Sequence, residues 1–214
     1  MKTLVSELLG MVPHLRIGIM AHGDYCDKTG TGGYTLRRMY KLSSDPEEIH
    51  EFMSTCAATG GGDSDECYEL VLQKAREMKW SKRASCKTLV LIGDANPHAS
   101  TYVWDGKPIG IDWRAECAGL KKQGIKVCTH LNQCCPMLFR DHRIVCSFCV
   151  TRRHCGSTCV DIAPQVYGVH CGGSAASQPF YQEVASTTGG QYLPLDSLQT
   201  MTDTFAALCL REVI

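Results

Sequence analysis

The side chains in this chain best suited to chemistry are oxygen and sulfur donors. Thr59-Gly60-Gly61-Gly62-Asp63 sets a hydroxyl ahead of three glycines, and Asp94 follows the apolar run Leu89 to Ile92. A hydroxyl and a carboxylate are hard ligands of the kind Mg²⁺ or Mn²⁺ prefers. Glycines let the backbone bend closely past an ion. Thr59 and Asp94 are therefore candidate ligands of a partial Mg²⁺ or Mn²⁺ site, although on spacing alone a turn or a helix cap explains them better. His22, Asp24 and His98 are expected near the same rim as polar loop residues. Their spacing assembles no nucleophile, base and orienting group, and no catalytic residue is assigned.

Sulfur is concentrated elsewhere. Seven of the 14 cysteines fall between Cys128 and Val166. Cys146-x2-Cys149 followed by Cys155-x3-Cys159, with His154 or the pair Cys134 and Cys135, offers zinc-ligand types at short spacing. The intervals match no zinc ribbon or finger. Structural disulfides are a second reading, disfavoured by the lack of an export signal. A third reading ranks first: the segment is an intrusion, such as a retained intron. Its apolar residues follow neither a helical nor an alternating period. It also interrupts a strand that begins at Gly124-Ile125-Lys126-Val127 and resumes at Val166-Tyr167-Gly168-Val169-His170. Removing Val127 to Gln165 is then expected to rejoin that strand and, in a chain also extended upstream, to improve solubility. Of the remaining seven cysteines, Cys56, Cys67, Cys117 and Cys209 lie on apolar stripes and read as buried thiols.

The chain has 214 residues, enough for one domain with a real core. Its 22 basic and 22 acidic residues give no net attraction to nucleic acid or a membrane surface. No apolar run is long enough to span a bilayer. No signal peptide is visible, and a cytoplasmic location is expected.

The elements that must hold these residues alternate in type. Apolar residues at Met1, Leu4, Val5, Leu8 and Leu9 mark an opening helix, and Ile17 to Ala21 a short buried strand. Tyr34 to Leu42 reads as an edge strand. Asp45-Pro46-Glu47-Glu48 is a helix start with a cap, a proline at the first position and a carboxylate to close a capping box. A helix carrying Cys67, Leu70, Val71, Ala75 and Met78 follows the glycine loop. Leu89 to Ile92 reads as a strand covered on both faces. Asp112 opens a helix that Gly124 ends. Pro179 opens another that stops at Gly189-Gly190, before a short strand at Tyr192 to Leu195. Leu198, Met201, Phe205 and Leu208 line a last helix. Strands alternating with helices predict an α/β fold: a doubly wound, mostly parallel sheet with helices on both faces. Ile17 to Ala21, Leu89 to Ile92 and Val166 to Val169 are expected at its centre.

Taken in order, three motifs resemble the von Willebrand factor A domain family. Thr59-Gly60-Gly61-Gly62-Asp63 looks like its second metal loop, and Leu89 to His98, with Asp94 in the ligand position, like its third. Phe180 to Tyr192 is similar to its late helix, glycine turn and strand. The resemblance covers the chain apart from the insertion at about 127–166 and implies a single domain over 1–214. It implies a non-enzymatic interaction module whose metal-ion-dependent adhesion site is completed by a carboxylate from a protein partner. The family's first metal loop and the central strand carrying it have no counterpart here. Thr59 and Asp94 alone are too few for a dedicated site of micromolar affinity, so the chain is expected to hold no ion by itself. With that strand missing, its two neighbours are expected either to pair directly or to leave the chain prone to aggregation. Alternative functions are a zinc-stabilised regulatory domain built on the insertion and a metal-dependent hydrolase on the same sheet.

Overall fold

The computed structural model describes residues 2–29, 34–57, 59, 62–81, 84–132, 145–153, 169–171, 175–190 and 192. Helix α1 (Lys2–Met11) leads into strand β1 (Arg16–His22), whose Ile17, Ile19, Met20 and Ala21 are all buried. A 3-10 turn at Tyr25–Thr29 precedes the short β2 (Leu36–Arg38). Helix α2 (Pro46–Ser54) starts where its signals place it: Asp45 accepts the Glu47 amide at 2.9 Å, and Pro46 takes the first position. The capping box does not close. Glu48 instead accepts the Ser43 hydroxyl at 2.6 Å, so its carboxylate ties the helix to the preceding loop.

The small β3 (Asp65–Glu66) opens α3 (Tyr68–Glu77), which returns through the long β4 (Ala84–Gly93). Next come β5 (Asn96–Pro97), parallel to β3, and a hairpin of β6 (Val103–Trp104) and β7 (Lys107–Pro108). The hairpin turns on Asp105 and Gly106, both at positive φ, as a tight two-residue turn requires. Helix α4 (Trp113–Lys122) is capped by Asp112, which accepts the Arg114 amide, and ends at Gly124 with φ 67°. The chain continues through β8 (Lys126–Asn132), β9 (Val145–Arg153), β10 (Val169–Cys171) and α5 (Gln178–Thr188), which stops at Gly189 in the left-handed region. The expected final helix, with Cys209, lies outside the described residues, as does the strand expected at Tyr192 to Leu195 apart from Tyr192.

Among the described residues the main sheet has six strands in the order β10-β8-β4-β9-β1-β2. Side chains alternate across it. Met20, Leu89 and Leu91 join Tyr68, Val71 and Leu72 of α3, Cys117 and Leu120 of α4, and Phe180, Tyr181 and Val184 of α5 in one buried cluster. The opposite parity, Ile17 and Ile19 of β1 and Val90 of β4, is equally buried but lies outside that cluster. There α2 packs on β1 and α1 packs on α2, burying Val5, Leu8 and Ile49. The class is α/β.

Three expectations about this sheet need correction. It is mixed rather than mostly parallel: β4 with β8 and β8 with β10 are parallel, but β9 runs antiparallel to both its neighbours and β2 antiparallel to β1. The place between β1 and β4 is neither closed nor open. Strand β9, from the cysteine-rich segment, fills it in unbroken register with β1 from Arg16↔Thr151 to His22↔Val145. Two flanking strands with unpaired N–H and C=O rows offer a template on both sides, and an extended segment that bonds to both satisfies them. Third, β8 and β10 are adjacent parallel strands rather than halves of one strand, and among the described residues β10 is at the sheet edge, not its centre. Val166 to Gly168 lie outside the described residues.

Candidate functional site

Strands β1 and β4 both run antiparallel to β9, so they point the same way and their carboxyl ends share one edge of the sheet. Three loops meet there: the turn after β1, the glycine loop before α3, and the loop after β4. Close packing fixes how they meet. A Cβ on Gly23 would stand 2.4 Å from both Thr59 Oγ1 and Asp27 Oδ2, and one on Gly62 would stand 2.6 Å from Cys26 Sγ. Only glycine lets the backbone approach so closely at these two points. The Cys67 amide donates to the Gly23 carbonyl at 3.2 Å, tying the start of α3 to the end of β1.

Thr59 thus lies against Gly23 at the end of β1, and Asp94 directly follows β4, so the structure sets both on the same sheet edge. The main chain of Asp94 is held on both sides. Its amide donates to the Tyr68 hydroxyl at 3.2 Å, and its carbonyl accepts the Ser177 hydroxyl at 3.2 Å. Tyr68 is fully buried and packs so tightly on Gly93 that a Cβ there would fall 1.8 Å from its hydroxyl. Gly93→Ala is accordingly expected to destabilise the protein by about 3 kcal/mol, the upper range of overpacking, because a ring locked in the core cannot step aside. A thermal melt unchanged from wild type would contradict that packing.

Asp24 and His98 are not loop-surface residues. Each side chain is 1% exposed, and His98 Nε2 lies 2.7 Å from Asp24 Oδ1. Asp24 Oδ1 also accepts the Tyr25 amide at 2.5 Å, and Oδ2 accepts the Cys26 thiol at 3.1 Å. The Asp24 amide donates to Asp27 Oδ2 at 2.7 Å. Glu69, buried at the start of α3, accepts the Tyr25 hydroxyl at 2.8 Å and the His98 amide at 3.1 Å. The His98 ring stacks on Tyr102 with centroids 4.0 Å apart. The Cys67 sulfur completes the cluster: one ligand atom from each of Asp24, Cys67 and His98 lies within 4.8 Å of the others.

Burial governs the electrostatics. It pushes the Cys67 thiol far up, and the neighbouring Glu69 and Asp24 carboxylates add to the rise. Burial, with a hydrogen bond to Asp24, pushes the Cys26 thiol up to about 12. Burial also raises Glu69, against the hydrogen bond from Tyr25 that lowers it. Cysteine, histidine and aspartate are the types of a nucleophile, base and orienting group, but this thiol is protonated and closed to a substrate. Reactive cysteines need the opposite environment, partly exposed and electropositive.

His22, the last residue of β1, is also fully buried, edge-on to Tyr68 with centroids 4.8 Å apart. Among the described residues neither of its ring nitrogens has a hydrogen-bond partner, and burial lowers it to about 3.

Of the candidate zinc ligands, Cys146 stands opposite Ala21, and Cys149 opposite Gly18 and Leu89, both within β9. Cys155, Cys159, His154, Cys134 and Cys135 lie outside the described residues. The sequence reading missed the Asp24, Cys67 and His98 cluster. Asp24 and His98 are 74 residues apart, and no local spacing rule reaches that far. The available signal was three metal-ligating types, each directly after or before a strand or helix that ends on one rim.

Among the described residues no helix is long and apolar enough to cross a membrane. No known protein family matches the chain, and no curated protein matches it by sequence. Its structure is similar to the crystal structure of the conserved hypothetical protein BatB from Bacteroides thetaiotaomicron, with a TM-score of 0.54 and 13% identity. That likeness covers 99% of this chain and 86% of the other, so what the two share is a fold.

Proposed function

We propose that this chain is a non-enzymatic protein-interaction module of the von Willebrand A type, a variant of that doubly wound fold. Its rim around Thr59 and Asp94 would engage a carboxylate on a protein partner through Mg²⁺ or Mn²⁺. The observation that carries this reading is the meeting of the Thr59 loop and strand-end Asp94 on one carboxyl edge of the sheet, where open α/β folds bind their ligands. The donors fit such an ion in kind, since Thr59 Oγ1 and Asp94 both offer hard oxygen. They fall short in number, which suits an ion held jointly with a partner's carboxylate and water. The hydrolase alternative has less support. The described cysteine, histidine and aspartate that lie close enough for nucleophilic catalysis are sealed in the interior.

The test is an array of short acidic peptides probed with the full chain in Mn²⁺, in Mg²⁺ and in EDTA. Binding is expected only with a divalent ion and only to peptides with a free side-chain carboxylate. It should weaken at least tenfold, about 1.4 kcal/mol, in Asp94→Ala and in Thr59→Ala. Equal binding to Asn and Gln versions of the peptides, or binding that persists in EDTA, would overturn the reading.

A further inference from the structure

The buried cluster beneath the rim has a different chemistry from the rim itself. Thr59 and Asp94 offer oxygen, whereas Asp24, Cys67 and His98 offer one oxygen, one sulfur and one imidazole nitrogen. Hard ions such as Mg²⁺ and Ca²⁺ select oxygen sets. A thiolate with an imidazole and a carboxylate selects a borderline ion such as Zn²⁺. We propose that Asp24, Cys67 and His98 bind one divalent transition ion of the zinc class. The inference does not depend on how the rim is used.

The geometry is close to what such an ion needs. Tetrahedral zinc with oxygen and nitrogen at about 2.0–2.1 Å and sulfur at about 2.3 Å sets its ligand atoms about 3.3–3.7 Å apart. Asp24 Oδ1 and His98 Nε2 stand at 2.7 Å, so an ion entering between them would widen a hydrogen bond by about half an ångström. The three ligand atoms already lie within 4.8 Å of one another, so the sulfur has little distance to close. Cys67 is a free thiol at 0% exposure, and among the described residues its sulfur makes no hydrogen bond. A sulfur that reaches an imidazole and a carboxylate without bonding to either is positioned as a ligand.

The surroundings resemble a supporting shell around a metal site. The Tyr25 amide and the Cys26 thiol fix the Asp24 carboxylate. Glu69 holds the main chain of His98, and Tyr102 stacks on its ring. Binding would release the Cys67 proton to solvent and leave a thiolate on the ion. The ion would then link three segments that are far apart in sequence: the turn after β1, the start of α3 and the loop after β4. The loop after β4 also carries Asp94, and Gly23 in the turn after β1 lies against Thr59, so the ion would rigidify the rim from below.

The test is titration of the chelator-stripped full chain with Co²⁺ in reducing buffer. The expected result is a thiolate-to-cobalt charge-transfer band in the near ultraviolet, with tetrahedral visible bands that Zn²⁺ displaces. The band should be lost in Cys67→Ser and in His98→Gln, and kept when Cys146, Cys149, Cys155 and Cys159 are all changed to serine. Should Cys67→Ser fail to fold, the near-isosteric Asp24→Asn is expected to lose at least about tenfold in cobalt affinity. Absence of a thiolate band in the wild type would overturn the proposal. So would a band that survives Cys67→Ser and vanishes with the four insertion cysteines.

Discussion

Val150→Pro is expected to abolish the cooperative fold of the whole chain rather than loosen its cysteine-rich part. Val150 lies in β9, opposite Ile17 on one side and Thr88 on the other, at the middle of the six-stranded sheet. Proline there removes a ladder N–H and brings a ring against a neighbouring strand, and proline is tolerated only at sheet edges. The lost hydrogen bond leaves a buried carbonyl unpaired, which alone costs roughly 1 to 3 kcal/mol. With the misfit of the ring added, the total approaches the lower end of a domain's margin of about 5 to 15 kcal/mol. Val169→Pro should cost much less, because among the described residues β10 pairs on one side only. Urea denaturation followed by circular dichroism reads both. A Val150→Pro chain with the wild-type midpoint would show that β9 does not bridge β1 and β4. The same register reverses the expectation for removal of residues 127–165. Sequence reasoning expects that deletion to rejoin one strand. The structure expects it to strip β1 and β4 of their common partner.

Why β9 escaped the sequence reading is a matter of where it sits. Val145-Cys146-Ser147-Phe148-Cys149-Val150 shows no alternation, and alternation is the signature of a strand with one wet face. A strand paired on both sides within a sheet is not bound to show it. The cysteines drew attention as ligands, although a reduced cysteine also packs as a small apolar residue. Features set by a few neighbouring residues were legible: the Asp45 and Asp112 caps and the left-handed glycines at Gly124 and Gly189. The rim positions of Thr59 and Asp94 were legible too, because strand order alone carries both loops to one edge. Burial of His22, Asp24 and His98 was not. Each is a polar residue beside glycine or proline, which reads as exposed turn. They are enclosed largely by long-range packing, Tyr68 of α3 against His22 and Tyr25 against His98.

Acid should expose the strain that His22 places on the interior. Its imidazole is fully buried with no partner for either nitrogen among the described residues, and burial holds it near 3 against 6.5 in an open chain. The folded protein therefore keeps His22 neutral at pH values where the unfolded chain protonates it. Between about 6.5 and about 3 the unfolded state binds more protons, so stability rises with pH across that window and is lost as pH falls through it. Each pH unit well inside the window is worth about 1.4 kcal/mol, so acidification from about 7.5 to about 5 should cost roughly 2 kcal/mol from this residue. Glu69 acts in the opposite direction. Its carboxyl is raised by burial, so the folded state takes up its proton first and gains stability on acidification. The informative quantity is therefore the difference between wild type and His22→Phe, which keeps an aromatic ring against Tyr68 and removes the titration. Urea midpoints at the two pH values are expected to show His22→Phe less sensitive to acid by roughly 2 kcal/mol. The variant should also be no less stable than wild type at neutral pH, since replacing an unpartnered buried polar group by an apolar one removes a desolvation penalty. Equal acid sensitivity in the two proteins would mean that His22 finds a hydrogen-bond partner outside the described residues.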